Sequence, residues 1–434
     1  VNPANFVLLR EGAAVSLREG DPVVLGSGLY GLAEADGWKV GSSYAISVAT
    51  SVQGPLGPGQ VLGWQFQTAV PDTISVSPAS GAGDVDVNIS AIVAVFDDLI
   101  DEDALQVGGN VVLAREGQPI EITDPIGYDR TTGEVTIPVS DLRAGSSFQV
   151  IIDGGLAGPR AIGEFRWGFR TRIPTLSSTT PPDGSSIAAG PRRIQLVFSS
   201  DVDEDLARDP ANYRLTGAGQ SIELVGSEFL YEAETFTVSL PEIEFVSGTG
   251  YELVVSSRLG GPRAQRPDDE FSFVTDLPVV VESNPSEASQ GVTTSTAAIR
   301  LLFSGPLARQ NPDDFQLRAR SVEDVLGDAS APFGLLPITG FGLDATGSEV
   351  NFAPEGGFQP FTEYQLLVDP SAFGDLAIDG FTLGFTTAAQ IGNTLDGGTI
   401  TNADRSVELY FPPNALSGGQ SGEVLIQPLS LIHI

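Results

Sequence analysis

Apolar and polar residues alternate in short runs along most of this chain, and the runs form phrases that repeat. Phe148-Gln-Val-Ile-Ile152 is followed by Phe169-Arg-Thr171. The pair recurs as Tyr44-Ala-Ile-Ser-Val48 with Phe66-Gln-Thr68, as Tyr251-Glu-Leu-Val-Val255 with Phe273-Val-Thr275, and as Tyr364-Gln-Leu-Leu-Val368 with Phe385-Thr-Thr387. A period of two predicts strands that bury one face. The closing threonines recur at intervals of 103, 104 and 112 residues. That interval is one small domain, far longer than a solenoid turn, so the pattern predicts separate units in series.

The second repeat carries the full pattern. Ile74-Ser-Val-Ser-Pro78, Ile92-Val-Ala-Val-Phe96, Val111-Val-Leu113, Ile120-Glu-Ile122, Val135-Thr-Ile137, Phe148–Ile152 and Phe165–Thr171 read as seven short strands separated by Gly/Asp/Pro turns. Such spacing is the signature of a β-sandwich. The third repeat has Ile194–Phe198 and Phe236-Thr-Val238-Ser-Leu240, and the fourth has Ile299–Phe303 and Val350-Asn-Phe352. The extra length of the fourth falls between Arg318 and Gly342 and reads as an enlarged loop. Asp101–Leu105 and Asp203–Arg208 read as one or two helical turns, each opened by acidic residues. The fold class expected is all-β: tandem immunoglobulin-like β-sandwich domains in an extended array.

The first repeat begins in mid-pattern. Asn2-Pro-Ala-Asn5-Phe6 matches Asp209-Pro-Ala-Asn212-Tyr213, and both Phe6 and Tyr213 stand 62 residues before their closing threonine. Two strands of this repeat are therefore expected upstream of Val1, leaving residues 1–70 the least stable unit. The expected boundaries are 1–70, 71–174, 175–277 and 278–388, with an incomplete β-domain over 389–434. In that last piece Gly397–Thr401, Val407–Leu416 and Val424–Ile426 read as strands, and the tail Leu429–Ile434 reads as a scar of truncation. The linkers Arg172-Ile-Pro174 and Asp276-Leu-Pro278 are short and end in proline, so a semi-rigid rod is expected.

Composition narrows the partners. The chain has 434 residues, 41% hydrophobic and 18% charged, which is globular. Asp and Glu number 56 against 22 Lys and Arg, a net charge of −34, and Lys39 is the single lysine. Such a surface repels phosphate backbones and anionic lipid, which argues against nucleic acid and membrane surfaces as partners. There is no Cys and no Met, so no disulfide holds the units and Val1 reads as an internal start. The longest apolar runs, such as Ala91–Phe96, are too short to span a membrane.

Candidate chemistry is sparse. The single histidine is His433, which excludes a Ser-His-Asp triad, a Cys-His pair and a His-ligated metal centre. Gly26-Ser-Gly28-Leu-Tyr-Gly31 fits GxGxxG, but no helix of adequate length follows, and a hairpin turn is the better reading. Asn88-Ile-Ser90 is a glycosylation sequon absent from the other repeats, and is treated as chance. Asp201, Asp203 and Asp205 space carboxylates as in a calcium loop, but Leu206 and Asn212 stand where such a loop needs Gly and Glu. Asp97, Asp98, Asp101, Glu102 and Asp103 form a similar cluster, whereas the fourth repeat has Ser304-Gly-Pro-Leu-Ala308. Turn-capping acids are the favoured reading and calcium the alternative. Trp38, Trp64 and Trp167 are a candidate carbohydrate platform, with core positions favoured for the last two. No catalytic, cofactor or metal residue is assigned.

With these residues in view, the repeat resembles the bacterial Ig-like domain of the SbsA type, named for S-layer proteins. The matching features are Pro285, Phe303-Ser304, the acidic turn Asp201 to Asp205, Ile137-Pro138 with Leu142 and Gly145, Leu240-Pro241 with Gly248 and Tyr251, and the closing Phe-x-Thr strand. The resemblance covers roughly residues 1–388, while Gly397–Leu416 resembles the opening of a ZU-type domain, as in netrin receptors and ankyrins. It implies secreted or surface modules that space or present other domains, and carries over no catalytic residues. The function expected is a non-catalytic stalk or adhesion module binding an unknown protein or polysaccharide. The alternative is an accessory region of a secreted polysaccharide-degrading enzyme.

Overall fold

The computed structural model describes residues 2–26, 29–49, 62–140, 142–391, 398–401, 408–413 and 422–424. Gly28 of the GxGxxG run and the tail 429–434 with His433 lie outside the described residues. Strands dominate, and the few helices are single turns such as Glu102–Leu105 and Glu204–Arg208. Both open on the expected acidic residue: Asp101 and Asp203 cap them with side-chain oxygens.

The second repeat folds as two four-stranded sheets. One holds Gln118–Ile120, Val111–Arg115, Ser147–Asp153 and Glu164–Arg170, and the other holds Gly127–Asp129, Glu134–Pro138, Ala91–Phe96 and Thr73–Ser77. The third and fourth follow the same order and each add a strand, Ser185–Ile187 and Ser289–Val292, running parallel to the closing strand. Each pair of sheets encloses its own apolar interior, and the clusters do not merge. These are tandem Ig-like β-sandwiches, as the alternation predicts.

The repeating phrases meet in space. Tyr44, Phe148, Tyr251 and Tyr364 lie directly across the ladder from Phe66, Phe169, Phe273 and Phe385. The four ring pairs stack at 5.1, 5.3, 5.3 and 5.3 Å, within 14° of parallel. Cross-strand aromatic pairs are favourable units of sheet stability. The closing threonine, two residues on, ties the strand end to the preceding turn. Thr171 Oγ1 donates to Arg143 O at 2.7 Å and accepts from Ser146 N at 2.9 Å. Thr68, Thr275 and Thr387 make the same two bonds.

The first repeat has one full sheet, Ala13–Val15, Phe6–Arg10, Ser43–Val48 and Leu62–Gln67, facing a two-stranded ribbon, Val23–Gly26 with Leu29–Gly31. Its enclosed core is Leu8, Tyr44 and Ile46, and Trp64 and Leu25 stay exposed. Gly26 pairs with Leu29 across the ribbon.

The structure corrects three expectations. Ile74 does not enter the core, because the ladder steps from Thr73 to Ser75 and turns Ile74 outward, 64% exposed. A bulge residue leaves the alternation, and Ser177 and Val281 occupy the same bulge in the next repeats. The 318–342 stretch is not a loop: strand Phe315–Ser321 runs into helix Val322–Gly327, then strands Gly334–Leu336 and Ile338–Leu343. The second repeat also has an eighth strand, Gly127–Asp129, whose single apolar residue, Tyr128, is too weak a signal for a periodicity argument.

Candidate functional site

A repeated backbone contact lies where one unit meets the next. Each of the first three units presents a glycine in the turn before its aromatic strand, and the next presents one after a short 3-10 turn or loop. Gly41 meets Gly158, Gly145 meets Gly261, and Gly248 meets Gly374. All six have positive φ, which glycine adopts without the Cβ penalty. The backbones approach so closely that a Cβ on Gly145 would lie 1.8 Å from Gly260 O, and one on Gly261 2.1 Å from Ala144 O. The corresponding distances are 2.1 and 2.0 Å at the first joint and 2.3 and 2.4 Å at the third.

Hydrogen bonds cross each contact. Arg160 N, Arg263 N and Leu376 N donate to Gly41 O, Gly145 O and Gly248 O at 3.0, 3.0 and 2.9 Å. At the first two joints the arginine side chain donates again, Arg160 Nη1 to Thr68 O at 2.8 Å and Arg263 Nη1 to Thr171 O at 2.9 Å. Leucine at position 376 has no such donor. In the fourth sandwich Phe361, at φ 47°, occupies the turn position of the receiving glycines. Its amide bonds Ala388 O as theirs bond Ala69 O, Arg172 O and Asp276 O.

The acidic turns belong to these joints. Asp203 Oδ1 caps its helix through Asp205 N at 3.0 Å, and Asp203 Oδ2 receives Arg143 Nη1 of the preceding sandwich at 2.8 Å. Arg143 Nη2 lies 3.6 Å from Asp205. Asp201 accepts from Tyr231 Oη. At the first joint Lys39, the counterpart of Arg143, lines one cleft with Asp101, Glu102 and Asp103. Asp101 caps its helix, Asp97 accepts from Asp72 N, Asp98 from Leu99 N, and Glu102 pairs with Arg130. The fourth sandwich lacks acids at this turn, and the preceding one has Val246 in place of the cation. There Ser247 Oγ donates to Pro306 O at 2.6 Å instead. Cation and carboxylates thus come and go together along the chain.

No group of three or more metal-type ligands converges among the described residues. Asp203 already holds a tethered cation, so added calcium is expected to give neither heat nor a thermal shift. A saturable heat in calorimetry would restore the calcium reading of Asp201, Asp203 and Asp205.

Of the three tryptophans, Trp38 and Trp64 are 41% and 50% exposed in the first repeat, and Trp167 is removed from any surface platform. Trp167 is buried in the second sandwich. Trp38 packs edge-on against Tyr44 and Phe66 at 4.9 and 5.1 Å, as Phe245 does with Tyr251 and Phe273. Trp64 sits across from Ile46 but stays exposed, so it does not take the core position expected of it, because only a two-stranded ribbon faces this sheet. Asn88 is exposed beside the second joint.

Burial, the largest cause in each case, holds the phenols of Tyr44, Tyr251 and Tyr364 above their ordinary value. The unfolded chain loses these protons near pH 10. Their contribution to stability is therefore complete below pH 10 and lost as pH rises through the raised folded values. The phenolate absorbance of these three rings, read as the difference from variants with phenylalanine at each position, is expected to appear together with loss of the β signal in circular dichroism. Ionisation of these three rings near pH 10 with strands intact would contradict this.

Fold and joints define the class: a tandem array of Ig-like β-sandwiches docked through glycine contacts. The family model for the bacterial Ig-like domain matches residues 274–387, the fourth sandwich. No curated protein matches the sequence. Among solved structures, the I9–I11 tandem of titin aligns over 73% of this chain and 98% of its own, at 9% identity and a TM-score of 0.26. Sidekick-1 immunoglobulin domains 1–4 align over 88% and 89%, at 11% identity and a TM-score of 0.16. The N-terminal part of the bacterial S-layer protein SbsC aligns over 49% and 44%, at 13% identity and a TM-score of 0.18.

Proposed function

We propose that this region is a non-catalytic, semi-rigid stalk of a secreted or cell-surface protein, holding other domains at a set distance and orientation. One observation carries the reading: three successive joints use the same glycine-to-glycine contact, each bridged by a backbone hydrogen bond. Domains linked by flexible tethers have no reason to share such a contact, whereas a spacer needs one. The SbsA-type resemblance of the repeat and the anionic surface both favour an extracellular setting. No helix among the described residues is long and apolar enough to cross a membrane.

Small-angle scattering on the chain tests this. A stiff array gives one well-defined maximum dimension and a resolved cross-section in both low and high salt. A profile that needs an ensemble of bent shapes would refute the stalk. A glycan array is the companion experiment: specific, saturable glycan binding would move the assignment to an accessory region of a polysaccharide-degrading enzyme.

A further inference from the structure

The second sandwich follows the plan of the third and fourth and departs from it around one opening. Register makes Val111 the counterpart of Tyr213 and Phe315, since these pair with the equivalent residues Ile152, Val255 and Val368. Register also makes Ile126 the counterpart of Phe229 and Phe341. Each directly precedes the equivalent ladder pairs Gly127↔Thr136, Leu230↔Ser239 and Gly342↔Asn351. In the third sandwich the Tyr213 and Phe229 rings stack at 5.0 Å, and in the fourth Phe315 and Phe341 lie 5.2 Å apart. The second has two aliphatic side chains where its siblings have two rings.

The segment leading into this strand differs in the same direction. Pro210–Asn212 and Pro312–Asp314 form 3-10 turns capped by Asp209 and Asn311. The second sandwich has Gly108 and Gly109 for the first two residues of that turn, and Val107 where the others have the polar cap. Val107 is 56% exposed. Five positions have thus lost a ring, a small side chain or a polar cap around one place. What remains is an open cavity of about 310 Å³, lined chiefly by Leu105, Val107, Val111, Ile120, Ile122 and Ile126.

We infer that this cavity is a binding site for a small uncharged aromatic molecule, whose ring occupies the place filled by Tyr213 and Phe229 in the next sandwich. The lining sets these apolar side chains beside the polar groups of Gln106 and Asp124, and a ring of matching size would lay its faces against the apolar part. In the third sandwich the Tyr213 ring lies between the two sheets beside Ala207, where the second has the larger Leu105. Val107 on the rim gives the ring an apolar edge that a polar cap would deny it. Asp124, also in the lining, and the net charge of −34 select against anionic ligands.

The test uses the whole chain with isoleucine methyls labelled for NMR, titrated with toluene and p-cresol, and with benzoate as the charged control. Saturable shifts are expected at Ile120, Ile122 and Ile126 with a dissociation constant of about 1 mM or tighter for toluene or p-cresol. Benzoate is expected at least tenfold weaker. Ile126→Phe and Val111→Phe, which copy the siblings, should each weaken binding at least tenfold. Val107→Asn, on the exposed rim, should weaken it severalfold and serves if a ring variant fails to fold. Absence of saturable shifts at these methyls would overturn the site, as would unchanged affinity in the folded variants. Benzoate binding as tightly as toluene would overturn the ligand class.

Discussion

Gly145→Val releases the third sandwich from the second. Its Cβ would sit 1.8 Å from Gly260 O, against main chain that no side-chain rotation can move aside. The hydrogen bond from Arg263 N to Gly145 O at 3.0 Å is lost with the contact, and Arg263 Nη1 is drawn away from Thr171 O. The substitution also places a β-branched residue at φ +58°, which costs about 1–2 kcal/mol within the second sandwich itself. That is small beside the ~5–15 kcal/mol that keeps a domain folded, so both sandwiches persist while the angle between them does not. The chain has no cysteine. Spin labels on Gln118→Cys and Gln220→Cys, equivalent exposed positions in successive sandwiches, therefore report one distance. A single narrow distribution in the parent should broaden severalfold in Gly145→Val. An unchanged narrow distribution would mean that something other than the glycine contact sets the angle.

Phe169→Ala unfolds one sandwich and leaves its neighbours standing. Phe169 is 1% exposed and stacks on Phe148 at 5.3 Å. Removing a buried ring of this size costs about 3–5 kcal/mol, because the cavity only partly collapses. That is a large share of a single domain's stability. Hydrogen exchange read by mass spectrometry should show amide protection over 147–170 falling by about two to four orders of magnitude, in keeping with that cost. Protection over 237–275 and 349–387 should hold. Loss of protection through all the sandwiches together would show a shared core and defeat the reading of independent units.

Much of the fold is legible along the chain because strand formation in a sandwich is a local matter. Residues such as Phe148, Val150 and Ile152 alternate with Gln149 and Ile151, and the buried face follows from the pleat. The acidic turns were legible as caps because a carboxylate two residues before an amide suffices to describe Asp101 and Asp203. Their second role was not. Arg143 stands 60 residues from Asp203, and nothing in either segment announces the other. Gly145 and Gly248 stand in the repeating pattern, yet the reason Gly158, Gly261 and Gly374 must lack a side chain lies in the neighbouring unit. Ile74 misled for a related reason: a bulge is a property of the ladder, set by the partner strand.

Periodicity alone settled that this is an array of two-sheeted β units with recurring aromatic pairs and closing threonines, because backbone pleat and side-chain alternation act over a few neighbouring residues. The docking of one unit on the next, the pairing of cation with acidic turn, and the opening left by Val111 and Ile126 emerged only in three dimensions. Each of these depends on groups tens of residues apart, and close packing judges such groups by shape and distance, which no short stretch of chain encodes.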